Sequence, residues 1–257
     1  MKDKLCSLLT RQLARKVPEV IVYFWIIKLL TTSMGEATSD YLVHTIDPVI
    51  AVIGGFIFFV ISLFLQFRIK KYNAYIYWFA VAMVAIFGTM AADVVHIVLG
   101  VPYLYSTIFF AISLTVFFTL WYKIEYTLSI HSISTPRREI FYWLAVVTTF
   151  ALGTAAGDMT AVTLNLGYLD SGILFGLLFF LPLIIYKFTG KNEVFYFWFS
   201  YIMTRPFGAS FADWFGRTPD LGGIGFGTGK TSIILTVLII IFVAYLAKTK
   251  KDIKDRN

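Results

Sequence analysis

Four aspartates occupy one position of a repeated motif, and they are the residues of this chain best suited to chemistry. The motif is a Trp followed by Gly at +10 and Asp at +15, and its copies are Trp25–Gly35–Asp40, Trp78–Gly88–Asp93, Trp143–Gly153–Asp158 and Trp198–Gly208–Asp213. Self-similarity with a fixed spacing indicates a duplicated unit. A carboxylate within a bilayer is costly, so it normally faces a bundle interior or a water-filled cavity. The four aspartates therefore predict one shared site.

A site built from these carboxylates would attract cations and repel anions. The residue after each motif Gly lies four positions before Asp, so it shares the helix face of the aspartate. Three of these residues carry oxygen, which suits hard cations such as Mg²⁺, Ca²⁺ and Mn²⁺. The predicted ion-binding and transport residues are Asp40, Asp93, Asp158, Asp213, Glu36, Thr89 and Thr154. The simpler alternative is that each aspartate caps the following link or lies in interfacial water.

Two histidines follow motif aspartates closely. His44 lies four residues beyond Asp40, and His96 lies three beyond Asp93. Imidazole is a ligand for transition metals, so these residues would give a mixed oxygen and nitrogen site. A lone histidine is more often a residue of the membrane interface, so we expect that role first and keep metal ligation as the alternative.

Two basic residues are predicted to lie at mid-membrane, where an unpaired charge is costly. Lys28 precedes Glu36 by eight residues, so both lie on one helical stripe. We expect Lys28 and Arg205 each to pair with a carboxylate, with Glu36 and Asp213 as the first candidates. These pairs would form either a charge relay that changes partners during transport or a static link between the first and seventh helices.

The Trp and Gly positions of the motif predict packing. An aromatic belt at the headgroups explains the Trp residues and the Tyr or Phe beside each of them, without any ligand. The Gly residues allow either close helix approach or a local helix break that exposes carbonyl groups to an ion. The positions are Trp25, Trp78, Trp143 and Trp198, and Gly35, Gly88, Gly153 and Gly208.

The elements that carry these residues are apolar helices. Of the 257 residues, 58% are hydrophobic and 14% are charged, whereas a soluble domain is about 25% charged. The composition predicts an all-α polytopic membrane protein with eight transmembrane helices. One Cys excludes an internal disulfide. The predicted spans are about 18–40, 49–67, 72–94, 103–122, 139–160, 172–187, 193–215 and 231–247.

The basic residues predict the topology. Most of the 22 Lys and Arg lie in the N-terminal arm, the even-to-odd links and the C-terminal tail, so both termini are predicted to be cytoplasmic. Each repeat then holds two antiparallel helices, so all four repeats have the same orientation, and they are arranged around a pseudo-symmetry axis. The predicted divisions are a cytoplasmic amphipathic arm 1–16, a single membrane domain 17–247 with repeats 17–70, 71–123, 136–188 and 191–247, and a basic cytoplasmic tail 248–257.

Several function classes are disfavoured. Gly225–Thr231 is similar to a phosphate loop, but Ile224 stands where the first Gly is required, so we expect no ATP binding. We see no Ser/His/Asp nucleophile set and expect no enzyme. The net charge of +7 is a topology signal, so we expect no nucleic acid partner. We also expect no covalently attached cofactor.

The chain from about residue 16 to 247 resembles a family of bacterial inner-membrane proteins described only as membrane-anchored proteins of unknown function. The resemblance lies in Lys16-Val-Pro-Glu-Val, Tyr23-Phe-Trp25 and Gly35-Glu36…Asp40. The family has four tandem repeats, each with two transmembrane segments and a characteristic Trp, which the four motif Trp residues match. The resemblance implies the fold and a bacterial inner (plasma) membrane location, but no activity.

Together these observations predict a cation transporter or channel, with a divalent metal such as Mn²⁺ as the transported ion. The expected partners are the lipid bilayer and a metal cation or proton. One alternative is a proton-coupled carrier of a small solute, in which the same aspartates titrate. Another is a membrane sensor or assembly protein without transport. The direction of transport, the ion and the oligomeric state stay open.

Overall fold

A computed structural model describes residues 15–253. The predicted amphipathic arm lies almost wholly outside the described residues, as does the end of the basic tail. The described part is helical and contains no strand. Its eight long helices are α1 Val22–Thr45, α2 Pro48–Arg68, α3 Ala74–Asp93, α4 Tyr103–Glu125, α5 Pro136–Asp158, α6 Gly167–Thr189, α7 Glu193–Gly216 and α8 Thr228–Thr249.

Six of these helices are long and apolar enough to cross a bilayer, namely α2, α3, α4, α5, α6 and α8. The chain is therefore a membrane protein. Helices α1 and α7 have a suitable length of 24 residues each, but both carry buried charged side chains. Crossing by α1 and α7, and hence the full set of eight spans, stays a prediction.

The odd-numbered helices form a closed inner ring. Helix α1 contacts α3, α3 contacts α5, α5 contacts α7, and α7 returns to α1. Each even-numbered helix packs mainly on the outside of the next odd one, and α8 closes the circle by packing on α1. The outer helices expose many large apolar side chains, as a lipid-facing surface requires. The order of contacts fits the predicted pseudo-symmetry axis, which itself stays a prediction.

The motif glycines lie where consecutive inner helices cross. A Cβ atom added to Gly153 would lie 2.5 Å from Cβ of Arg205, and one added to Gly88 would lie 3.3 Å from Cβ of Phe150. The contacting residue always stands three positions before the Gly of its own repeat. The four contacts are Gly35 with Ala85, Gly88 with Phe150, Gly153 with Arg205 and Gly208 with Thr32. The helices continue through these glycines, so close approach, not a helix break, explains them.

The motif Trp residues lie in the core. Trp78 and Trp143 are each only 2% exposed, and Tyr77 packs against Trp143 with ring centroids 5.8 Å apart. Trp198 is also buried and donates through Nε1 to the carbonyl of Leu128 at 2.9 Å. The aromatic-belt interpretation is therefore wrong for these three, because belt residues face the headgroups. Their rings instead fill the inner ring at the end where the inner helices begin, which we call the Trp end.

Polar contacts at the Trp end join the flanking segments. Lys16 donates to Glu139 at 2.6 Å, and Gln66 donates to the other carboxylate oxygen of Glu139 at 3.1 Å. Tyr72 donates to Asp252, just beyond α8. Burial raises the pKa of the Asp252 carboxyl above its usual value, although the hydrogen bond from Tyr72 opposes that shift. The segment before α1, the link before α3 and the end of the chain are thereby held together.

We predict that replacing a motif Gly at a helix crossing by Ala, which adds only one methyl group, will destabilise the fold. In Gly35→Ala the added methyl group would overlap both the side chain and the backbone of Ala85, so stability should fall by about 1–3 kcal/mol. Gly54→Ala is the matched control, because Gly54 is also inside a helix but has nothing within 4 Å. The thermal unfolding midpoint in detergent measures both variants. Equal effects would contradict the crossing contact.

Candidate functional site

The interior of the inner ring is polar in the half that lies away from the Trp end. On α1, Lys28, Thr32, Glu36 and Asp40 follow one another at steps of four residues, and all four are buried. Residues four apart lie on one helix face, so these side chains descend the ring in successive layers. The equivalent residues of the other inner helices join the same layers. The motif aspartates form the layer farthest from the Trp end. We call this end of the inner ring the Asp end.

Arg205 and Glu36 form an ion pair inside the ring. Nη2 of Arg205 lies 2.5 Å from Oε2 of Glu36 and also donates to the hydroxyl of Thr89. The side chains of Arg205 and Glu36 are 1% and 3% exposed. Of the two carboxylates predicted as partners for Arg205, the structure selects Glu36. Asp213 lies two turns further along α7 and is paired elsewhere.

That other partner is Arg217, directly after α7. Its Nε donates to Oδ1 of Asp213 at 2.9 Å, and its Nη2 lies 3.1 Å from Oδ2 of Asp40. Burial lowers the pKa of Arg217, but the carboxylates of Asp213 and Asp40 raise it more strongly, so the guanidinium stays charged. In the sequence, Arg217 is only a basic residue of the link that follows the seventh predicted span. Its spacing of four from Asp213 was the signal that could have identified the pair.

Arg217 divides the four motif aspartates into two unlike sets. Asp40 and Asp213 are buried and share the guanidinium, whereas Asp93 and Asp158 are half-buried and have no salt bridge within the described chain. Asp93 is within electrostatic range of Glu36, Asp158 and Asp40. Ligand atoms of Glu36, Asp40 and Asp213 lie within 4.8 Å of one another. We call the acidic interior around these three residues, Asp93 and Asp158 the acidic chamber, and its four aspartates are not equivalent.

The backbone also differs between Asp93 and Asp158 on one side and Asp40 and Asp213 on the other. A π-helical turn follows Asp93 at Val94–Val98, and another follows Asp158 at Met159–Thr163. Helices α1 and α7 instead run on past their aspartates as α-helix. Single π-helical turns are rare and frequently occur at functional sites, because they rotate side chains and disturb the regular hydrogen bonds.

The remaining candidates are placed unequally. The threonines at the Glu36 position, Thr89 and Thr154, donate to carbonyls of their own helices at 2.9 and 3.0 Å. The Thr89 oxygen already accepts from Arg205, whereas the Thr154 oxygen is left able to accept or to bind a cation. His44 is exposed, and its Nδ1 lies 2.6 Å from the carbonyl of Asp40. His96 makes two hydrogen bonds, one between Nδ1 and the carbonyl of Val101 and one between Nε2 and the hydroxyl of Ser106. In residues 15–253, the group placed to hold a metal ion is Glu36, Asp40 and Asp213, and neither histidine belongs to it.

Lys28 differs from the expectation. No carboxylate in the described part of the chain lies within 4.0 Å of its ammonium group, so the predicted ion pair is wrong. Nζ lies instead over the rings of Phe150 and Tyr201, 4.0 and 4.1 Å from their centroids. Cation–π attraction replaces part of the lost hydration of a buried ammonium group. The Glu36 carboxylate pairs with Arg205 instead. Arg205 lies between the layer of Lys28 and the layer of Glu36.

Four copies of one family model, described as a Repeat of Unknown Function (DUF347), match residues 23–72, 76–127, 141–192 and 196–252. The chain belongs to this family. The resemblance to a four-repeat family of unknown function is thereby confirmed. No curated protein and no solved structure matches the chain.

Each DUF347 repeat spans one inner helix and the outer helix that follows it. Every repeat therefore contributes one inner helix, one motif Gly and one motif Asp to the chamber. The repeats differ in the other charged residues that they place inside the inner ring. Lys28 and Glu36 come from the first repeat, and Arg205 and Arg217 come from the fourth.

We predict that Glu36 and Arg205 are strongly coupled. Glu36→Met leaves a buried guanidinium without its carboxylate and should lower the free energy of unfolding by roughly 3–5 kcal/mol, whereas Glu36→Met/Arg205→Met removes both charges and should recover most of the loss. Chemical unfolding of the four proteins of this double-mutant cycle gives the coupling. Arg137→Gln, at an exposed arginine, serves as the control and should change stability little. Additive single effects would contradict the pair.

Proposed function

We propose that the protein transports a cation across the membrane and that the acidic chamber is its binding site. The observation that supports this most is the buried cluster of Glu36, Asp40 and Asp213, whose ligand atoms lie within 4.8 Å of one another. Asp93 and Asp158 stand at the motif Asp positions of α3 and α5 and complete the proposed chamber. Charged groups inside a membrane protein generally face a path for ions or substrates, because exposure to lipid is costly. Six helices that are long and apolar enough to cross a bilayer support a membrane setting for the chamber.

The charge balance favours a divalent ion. Three basic side chains, Lys28, Arg205 and Arg217, accompany the five carboxylates, so the fully ionised group carries a net charge of −2. Uncompensated charge in a low-dielectric interior is unfavourable. One divalent cation neutralises the group, and we propose Mn²⁺ as the type of ion. Carboxylate and hydroxyl oxygens suit this choice.

Asp93 and Asp158 are the proposed primary ligands. They lack the basic partner that Asp40 and Asp213 share, so their oxygens are available without breaking an ion pair. Thr89 and Thr154 lie one helical turn away on the same faces. Thr154 supplies a further oxygen, and Thr89 does so once its bond from Arg205 is released.

The oxygens of Glu36, Asp40 and Asp213 form the second part of the proposed path, because ligand atoms of all three lie within 4.8 Å of one another. Arg205 and Arg217 already neutralise these carboxylates. A cation that moves here must displace a guanidinium, which makes the exchange of partners part of transport.

A proton-coupled carrier is the second candidate. The same net charge of −2 is neutralised equally well by two protons, and Arg205 and Arg217 are groups that bind carboxylate or phosphate ligands. In this version Asp93 and Asp158 take up protons, and the solute is anionic. Location in a bacterial inner membrane with both termini in the cytoplasm belongs to either proposal.

The test is Mn²⁺ binding and transport by single Asp→Asn variants. Asparagine keeps the size and removes the charge, so Asp93→Asn and Asp158→Asn should weaken Mn²⁺ binding by roughly tenfold or more. Asp170→Asn, at an exposed aspartate in the first turn of α6, is the matched control and should behave as wild type. Calorimetry measures binding to the purified protein, and radioactive Mn²⁺ uptake into proteoliposomes measures transport.

Binding should also strengthen as pH rises, because protons and metal compete for the same carboxylate oxygens. If Asn variants of all four motif aspartates fold and handle Mn²⁺, Mg²⁺, Ca²⁺ and Zn²⁺ as the wild type does, metal transport is wrong. A pH gradient that drives solute uptake without any metal would instead favour the proton-coupled carrier.

A further inference from the structure

Two buried basic groups lie around one aromatic ring. Nζ of Lys28 is 4.0 Å from the centroid of the Phe150 ring, and Cζ of Arg205 is 5.8 Å from the same centroid. Both residues are 1% exposed. Glu36 pairs with Arg205 and not with Lys28, so two cations share one carboxylate in this layer of the ring. The local excess of positive charge distinguishes it from the acidic Asp end.

Arg205 also retains unused hydrogen-bond donors. Nη2 supplies both the contact to Glu36 and the contact to Thr89, whereas Nε and Nη1 have no partner anywhere in residues 15–253. Buried donors of charged groups are rarely left unsatisfied, because the desolvation cost is then not offset.

We propose that Lys28 and Arg205 form a binding subsite for one small anion, either a halide or the carboxylate of a small solute. An anion there would accept hydrogen bonds from unused N–H groups of Arg205 and would offset the positive charge of Lys28. Guanidinium and ammonium groups both bind carboxylates. The rings of Phe150 and Tyr201 shield the pair from lipid and limit the size of the ligand. The subsite does not depend on the cation proposal.

The structure explains why this subsite is separate from the acidic chamber. The carboxylates of Asp40 and Asp213 are held by Arg217 at the Asp end, and Glu36 is held by Nη2 of Arg205. While the carboxylates of the Asp end are ionised, their repulsion excludes an anion from that end. The Lys28 layer lies two helical turns above Glu36, on the side of the aromatic core.

The experiment measures thermal unfolding of the purified full-length protein in detergent with EDTA, at constant ionic strength. Sodium gluconate, whose anion is bulky, is replaced stepwise by sodium chloride or by sodium acetate. We expect a saturable rise in the unfolding midpoint of roughly 5–10 °C at a concentration 100-fold above the dissociation constant. A rise with chloride alone indicates a halide site, and a rise with acetate alone indicates a site for organic carboxylates.

Lys28→Met keeps the length of the side chain and removes its charge. Since Lys28 has no carboxylate partner within the described residues, this variant should be at least as stable as wild type in gluconate and should lose the anion-dependent rise. Lys28→Gln serves the same purpose if the Met variant does not fold. Lys71→Met, at an exposed lysine, is the matched control and should keep the rise.

A midpoint that does not change with chloride or acetate in the wild type would overturn the subsite, as would an unchanged rise in the Lys28 variants. Since EDTA removes divalent cations from the assay, failure here leaves the proposed cation site untouched. Failure of Mn²⁺ binding would likewise leave the anion subsite intact.

Discussion

The burial of one guanidinium connects the four inner helices. Arg205 belongs to α7, binds Glu36 on α1 and Thr89 on α3 through Nη2, and passes its Cβ and Cγ atoms over Gly153 on α5. A side chain at position 153 would occupy the space of the arginine stem, so the motif Gly is required there. Because a buried charge without its partner is strongly destabilising, the arrangement of all four helices depends on the position of this one residue.

Much of the fold follows from the sequence, because the determining signals are local. The spacing of Trp, Gly and Asp identifies the repeats, and apolar length identifies the helices. The boundaries are less accurate, since caps decide them. Helix α2 begins at Pro48 because the side chain of Asp47 accepts hydrogen bonds from the backbone of Val49 and Ile50. The Asp47-Pro48 pair is itself a helix-start signal, and the predicted span 49–67 begins one residue later than the helix.

The site is less predictable, because its pairs join distant parts of the chain. Glu36 and Arg205 are 169 residues apart, and their opposite charges suggested a pair without excluding Asp213. Lys28 was expected to need a carboxylate, but local sequence does not show that two aromatic rings from α5 and α7 would surround it. Arg217 was overlooked for the opposite reason: it lies in a link, where a basic residue usually meets water.

Duplication explains why packing and chemistry differ in regularity. The Gly crossing recurs at all four contacts, because each repeat must approach the next equally closely. The basic residues inside the ring need not recur in every repeat, since a charged group from one repeat can reach carboxylates of its neighbours. Four equal aspartates would repel one another around a single centre. Arg217 relieves that repulsion for Asp40 and Asp213 alone, so that Asp93 and Asp158, each followed by a π-helical turn, retain their full capacity for a ligand.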